Sequence, residues 1–214
     1  MKKLLILLCL GNLLSLIGRA QPIGVSNIDL SPTSTVWRGN TSIVGGTFTT
    51  DDSADSFQLN SVTLQLGYTY VVENFTMQLM TDSGSNAPGS LIATLSGIPN
   101  PTVGSGEYAN FTYTAAAVTL ASETKYWITW GYTEGTGSML VPFNDSGSTT
   151  GAWTLENVHI FNFDASTWLS PASGAPLMSI NATAVPEPST YAAILGLGAL
   201  GFVAWRKRRR THTG

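Results

Sequence analysis

Ser61-Val62-Thr63-Leu64-Gln65-Leu66 and Asn74-Phe75-Thr76-Met77-Gln78-Leu79-Met80 alternate polar and apolar residues one for one. Side chains of a strand point to opposite faces in turn, so this period of two marks strands buried on one side. Val62, Leu64 and Leu66 share one face, and so do Phe75, Met77 and Leu79. Leu91–Leu95, Tyr108–Thr114, Tyr126–Tyr132, Val158–Phe163 and Leu177–Ala182 read the same way. Thr, Val, Tyr, Phe and Trp dominate these stretches, and such residues fit a pleated, half-buried surface. Between them lie Asp82-Ser83-Gly84-Ser85-Asn86, Pro99-Asn100-Pro101, Gly104-Ser105-Gly106, Gly135-Thr136-Gly137 and Asp145-Ser146-Gly147. These residues supply left-handed backbone or side-chain bonds at turns. No sustained helical periodicity occurs between Gln21 and Ala184. About eight or nine strands at this spacing predict an all-β fold, a jelly-roll-like β-sandwich. No repeat with a period of about 20–50 residues is visible.

Charge narrows the function. Only 11% of the 214 residues are charged, against about 25% in an ordinary soluble protein. Lys2, Lys3 and Arg19 lie at one end, and Arg206 to Arg210 at the other. Between Gln21 and Val185 stand Arg38, Lys125 and twelve acidic residues, so that span carries −10. Nucleic-acid binding needs Lys and Arg to neutralise phosphates, and this body lacks them. Its many aromatic and β-branched residues argue against disorder.

The two ends carry address signals. Lys2 and Lys3 precede an apolar run from Leu4 to Ile17, and Gly18-Arg19-Ala20 puts small residues at −3 and −1. The pattern predicts a signal peptide over 1–20, cleaved between Ala20 and Gln21. Its Cys9 is the only cysteine, so the mature chain would hold no disulfide, thiolate nucleophile or cysteine metal site. At the other end, Val185-Pro186-Glu187-Pro188-Ser189-Thr190 leads into an apolar run, Tyr191–Trp205, closed by Arg206-Lys207-Arg208-Arg209-Arg210. The prolines keep the approach extended. The run would form a short transmembrane helix of about 22 Å, with the basic cluster as a cytoplasmic stop. The expected division is therefore 1–20 signal peptide, 21–184 β domain and 185–210 sorting signal.

This end resembles the PEP-CTERM sorting signal of Gram-negative bacteria over Val185 to Arg210. The resemblance implies that an exosortase, a membrane transpeptidase-like enzyme, recognises Val185, Pro186, Glu187 and Pro188. Tyr191–Trp205 would hold the chain in the inner membrane, and Arg206, Lys207, Arg208, Arg209 and Arg210 would stop it there. Delivery to the cell surface or extracellular matrix follows, in bacteria that make exopolysaccharide or biofilm. Residues 46–182 are similar to the choice-of-anchor R domain of exported bacterial proteins. Three stretches carry that likeness. The first is Gly46–Thr50 with Leu59–Gly67. The second runs through Phe75–Leu79, Thr81–Gly84 and Ala87–Gly97. The third joins Val118–Ala121 to Thr124–Ile128. This family brings no enzymatic activity with it.

Residue chemistry within the body points to binding rather than catalysis. A Ser-His-Asp triad would have to use His159, which sits in Val158-His159-Ile160-Phe161 on the polar, solvent-facing side of its strand. One histidine and no cysteine make a zinc site unsuitable. Glu73, Glu107, Glu123, Glu134 and Glu156 could in principle pair as in glycosidases, but nothing selects a pair. Calcium could use Asp51, Asp52 and Asp55, or Asn144 and Asp145, although neither matches an EF-hand loop. In Tyr126–Tyr132, Tyr126, Ile128, Trp130 and Tyr132 share one face while Trp127 and Thr129 take the other. Trp153 and Trp168, near turns, are the candidates for stacking on sugar rings. The expectation is a non-enzymatic structural or adhesive surface protein. The alternatives are a carbohydrate-binding module and, behind it, a secreted hydrolase.

Overall fold

The computed structural model describes residues 22–39, 42–70, 72–134, 137–162, 167–169, 174–185 and 188–210. The strands among them form three open sheets. A five-stranded sheet runs in the order β11 (Thr150–Gly151), β1 (Pro22–Ser26), β15 (Met178–Ala184), β4 (Ser56–Leu66), β8 (Ala109–Ala121). A six-stranded sheet runs β13 (Thr167–Leu169), β12 (Thr154–Asn162), β3 (Ile43–Thr49), β9 (Lys125–Glu134), β6 (Glu73–Asp82), β7 (Pro88–Leu95). A small sheet places β10 (Ser138–Asn144) between β14 (Ala175–Pro176) and β2 (Ser34–Gly39), with β5 (Thr69–Tyr70) also pairing β10. The pairings within all three sheets are antiparallel. The sequence expectation of an all-β body agrees with this architecture.

One core joins the two large sheets. Leu64, Leu66, Tyr113 and Ile180 come from the first, and Phe48, Met77, Leu79, Ile128 and Trp130 from the second. Phe75 and Tyr113 meet across the interface with ring centroids 5.5 Å apart. Each strand feeds the core through alternation, as its sequence requires. β4 is instructive because its phase changes in mid-strand. Phe57 and Leu59 face inward at odd positions, and Val62, Leu64 and Leu66 at even ones. Against β15 the consecutive residues Asn181 and Ala182 pair with Ser61 and Leu59, a bulge that absorbs the extra residue Asn60. All five side chains are thereby fully buried.

Several elements have no counterpart in the sequence reading. β1, β2, β5, β11, β13 and β14 are short, and β3 and β10 fall where the sequence reading finds no strand. The seven stretches named from alternation fall on β4, β6, β7, β8, β9, β12 and β15, with Phe163 outside the described residues, and the described residues hold fifteen strands where about eight or nine were expected.

Among the described residues one helix, α1 (Pro188–Arg210), follows β15. Pro188 stands at its first position, where a missing N–H costs nothing and the ring presets φ. Leu195, Leu197, Leu200, Phe202, Val203 and Trp205 are all exposed. The transmembrane helix expected over Tyr191–Trp205 needs correction. The helix forms, but no helix among the described residues is long and apolar enough to cross a membrane. The apolar run is short, is diluted by Gly196, Gly198 and Gly201, and passes directly into five basic residues.

Candidate functional site

The sorting end is joined to the fold without a spacer. β15 carries Met178, Ile180 and Ala182 into the core and ends at Ala184. Val185 is exposed, and its N–H donates to the Ser56 carbonyl at 2.9 Å. Pro186 and Glu187 lie outside the described residues, as do Ala20, Gln21 and the expected signal peptide. Pro188 opens α1, whose last turns hold Arg206, Lys207, Arg208, Arg209 and Arg210. Cations at a helix C-terminus meet the negative end of its dipole.

The tryptophans fall differently from expectation. Trp153 is only 2% exposed. Its ring stacks on Phe48 at 5.7 Å and meets Phe57 edge-on at 5.1 Å, while Nε1 donates to Asp51 Oδ1 at 3.2 Å. That burial withdraws it from any surface: the chain turns after Gly151 and drives the ring between the two sheets. Trp168 is half-buried on the edge strand β13, edge-on to Trp127 at 5.4 Å. Trp127 lies on the outer face of β9, opposite the core face, and donates Nε1–H to Asp82 Oδ1 at 2.7 Å.

His159 is 6% exposed rather than solvent-facing. It is on the outer face of β12, but Trp127 covers it with ring centroids 4.5 Å apart. Its Nδ1 is buried with no hydrogen-bond partner. Burial, with help from Lys125, pushes its pKa below the ordinary 6.5, while Glu156 and Asp82 pull the other way. No serine bonds to it among the described residues, so the triad arrangement is not assembled there.

Two of the carboxylate candidates, Glu156 and Asp51, are tied up locally. Glu156 accepts from Thr47 at 3.1 Å and Thr49 at 3.4 Å, and pairs with Lys125. Asp51 accepts from Ser53 Oγ at 2.8 Å as well as from Trp153. Asn144 Oδ1 accepts from Ser146 N at 2.8 Å and so shapes its own turn. Among the described residues no group of three His, Cys, Asp or Glu converges on one point.

An exposed aromatic strip crosses the small sheet, and the sequence reading does not single it out. Trp37 of β2 is 54% exposed and lies directly opposite Leu140 of β10. The Leu140 N–H donates to the Tyr68 carbonyl at 3.0 Å, and Trp37 meets Tyr68 edge-on at 5.9 Å. Tyr70 is opposite Ser138, two residues along β10 from Leu140, and therefore shares its face. Tyr108 closes the strip over Gly67, where a Cβ would lie 3.1 Å from its ring and 3.0 Å from Leu140. Tyr70 and Tyr108 are exposed, and Tyr68 is half-buried. The tyrosines divide cleanly. The buried Tyr113, Tyr126 and Tyr132 have hydroxyls bonded to Ile98 O, Ala121 N and Gly137 O. The hydroxyls of Tyr68, Tyr70 and Tyr108 make no bond among the described residues. The available sequence signal was Val36-Trp37-Arg38-Gly39, but one tryptophan without flanking alternation does not reveal its face.

Comparison with known proteins bears on the C-terminal end. A family model described as a PEP-CTERM protein-sorting motif matches residues 184–210. The chain carries that motif, which extends from the last residue of β15 to the end of α1. Such a motif belongs to an exported protein that an exosortase sorts and that is held transiently at the membrane before reaching the cell surface. No curated protein matches the chain. Among solved structures, it is similar to a clostridial cysteine protease after propeptide cleavage. That likeness has 10% identity and a TM-score of 0.49, over 75% of this chain and 40% of the other. It is also similar to the cysteine protease and lectin-like domains of a surface layer associated protein of Clostridium difficile. There the identity is 8% and the TM-score 0.48, over 75% of this chain and 36% of the other. The chain thus spans well under two thirds of either protein.

Proposed function

We propose that the chain is a cell-surface or matrix component of a Gram-negative, biofilm-forming bacterium, with a structural or adhesive body associated with exopolysaccharide and no enzymatic activity. The observation that carries this reading is the sorting motif at residues 184–210, continuous with a folded β body. The exosortase is its processing partner, and the inner membrane its temporary station. Strand order supports a jelly-roll module. One sheet runs β1, β15, β4, β8 and the other β3, β9, β6, β7, so that the chain crosses repeatedly between them, with β12 beside β3 and β13 beyond it. The motif order in residues 46–182 supports kinship with choice-of-anchor R domains.

The test is to follow the full chain in a producing cell with and without its exosortase. The expected result is a shortened surface form only when the enzyme is present, with full-length protein retained at the membrane otherwise. Replacing Arg206, Lys207, Arg208, Arg209 and Arg210 with Ser should also abolish the shortened form. Identical processing in both strains would overturn the reading.

A further inference from the structure

We propose that the outer face of the small sheet, the strip of Trp37, Tyr68, Tyr70 and Tyr108, binds an uncharged polysaccharide by stacking sugar rings on the aromatic side chains. The inference rests on the reading of the body as polysaccharide-associated and gives that association a surface.

Exposure comes first. Large aromatic rings carry much apolar area, and monomers rarely leave several of them together in water. Here Trp37, Tyr70 and Tyr108 are 54%, 56% and 45% exposed on one face. The apolar faces of pyranose rings, with their axial C–H bonds, are the complement of such rings. Tyrosine hydroxyls come second. Buried ones are spent inside the fold, whereas those of the strip remain free to exchange hydrogen bonds with sugar hydroxyls.

Dimensions and charge then set the ligand class. Trp37 and Tyr68 lie on either side of β10 with their ring centroids 5.9 Å apart, so together they offer a platform for a single pyranose ring. The strip itself carries no charged side chain. Alternation turns Arg38 to the other face of β2 from Trp37. The body around it carries −10, which repels a polyanion. A neutral glycan meets no such repulsion.

The test uses the full chain in mild detergent, run by affinity electrophoresis in gels containing hydroxyethyl cellulose, a neutral glucan, or alginate, a polyanion. The wild type should be retarded by the glucan and not by alginate. Trp37→Ala and Tyr108→Ala should each weaken retardation about tenfold, as expected of ring anchors. Both sites are exposed, so thermal midpoints should stay near wild type. Trp168→Ala, on the other large face, should leave retardation unchanged. No retardation of the wild type by the glucan would overturn both the glycan association and this surface. Retardation that survives both strip substitutions would overturn the strip alone. Equal retardation by alginate would overturn the uncharged class.

Discussion

His159 shows how a single residue links packing to pH. Its imidazole lies against Trp127 with Nδ1 buried and unpartnered, an environment that disfavours the charged form. In the unfolded chain it takes up a proton as pH falls through about 6.5. The folded chain resists until a lower pH. Its contribution to stability is therefore complete above about 6.5 and declines as pH drops from there to the folded-state pKa. Thermal midpoints measured from about pH 8 to about pH 5 should fall in that window, and less steeply in His159→Phe. Equal slopes would remove His159 as the cause. Trp153 makes the complementary case. Trp153→Ala opens a cavity between Phe48 and Phe57 and removes one of the two hydrogen bonds to Asp51 Oδ1, so it should cost about 3–5 kcal/mol in chemical denaturation. Glycan retardation through the distant strip should persist in the fraction that stays folded. The sequence made the two faces of β9 legible, because Tyr126–Tyr132 alternates without interruption. It left Trp153 and Trp37 misplaced or unnoticed for one reason. Neither has alternating neighbours, so its direction depends on contacts over a hundred residues away or across another strand.

At the scale of elements, what was legible follows the length of the pattern. β6 and β9 hold one phase over many residues and stand where the alternation puts them. β4 begins five residues before its alternation does, because the bulge at Asn60 against β15 inverts the phase and makes Phe57 and Leu59 look out of step. β3 contains Gly45 and Gly46, which no strand propensity favours. Packing explains Gly46: a Cβ there would lie 2.7 Å from Pro176 and 3.0 Å from Met178. β1 offers a sharper test. Gly24 has φ of +147°, and a Cβ would lie 1.9 Å from the Ile180 carbonyl oxygen. That oxygen belongs to β15, and backbone cannot retreat as a side chain can. Gly24→Ala should therefore displace β1 from β15 and cost more than about 1 kcal/mol. Hydrogen exchange should show faster exchange along β1 and the neighbouring edge of β15, with β6 and β9 unchanged. Wild-type protection along β1 would mean that the close approach is not required.

For the whole molecule, the position of β15 joins folding to sorting. This last strand of the body is central in its sheet, between β1 and β4, and supplies Met178, Ile180 and Ala182 to the core. The sorting motif begins on its final residue, and Val185 is still bonded to Ser56. Any processing upstream of Met178 would therefore strip a central strand and expose the apolar faces of β1 and β4. A sorting enzyme acting on this chain must cut beyond Ala184 if the product is to stay folded. Two outcomes follow. A chain ending at Val185 should unfold cooperatively with a thermal midpoint close to that of the full chain, because α1 lends no buried side chain among its described residues. A chain ending at Leu177 should not fold at all, and should appear as aggregate or degraded product. Mass spectrometry of the shortened form from producing cells then locates the cut. A C-terminus at or after Val185 agrees with the fold, whereas one within Met178–Ala184 would show that the released protein does without its central strand.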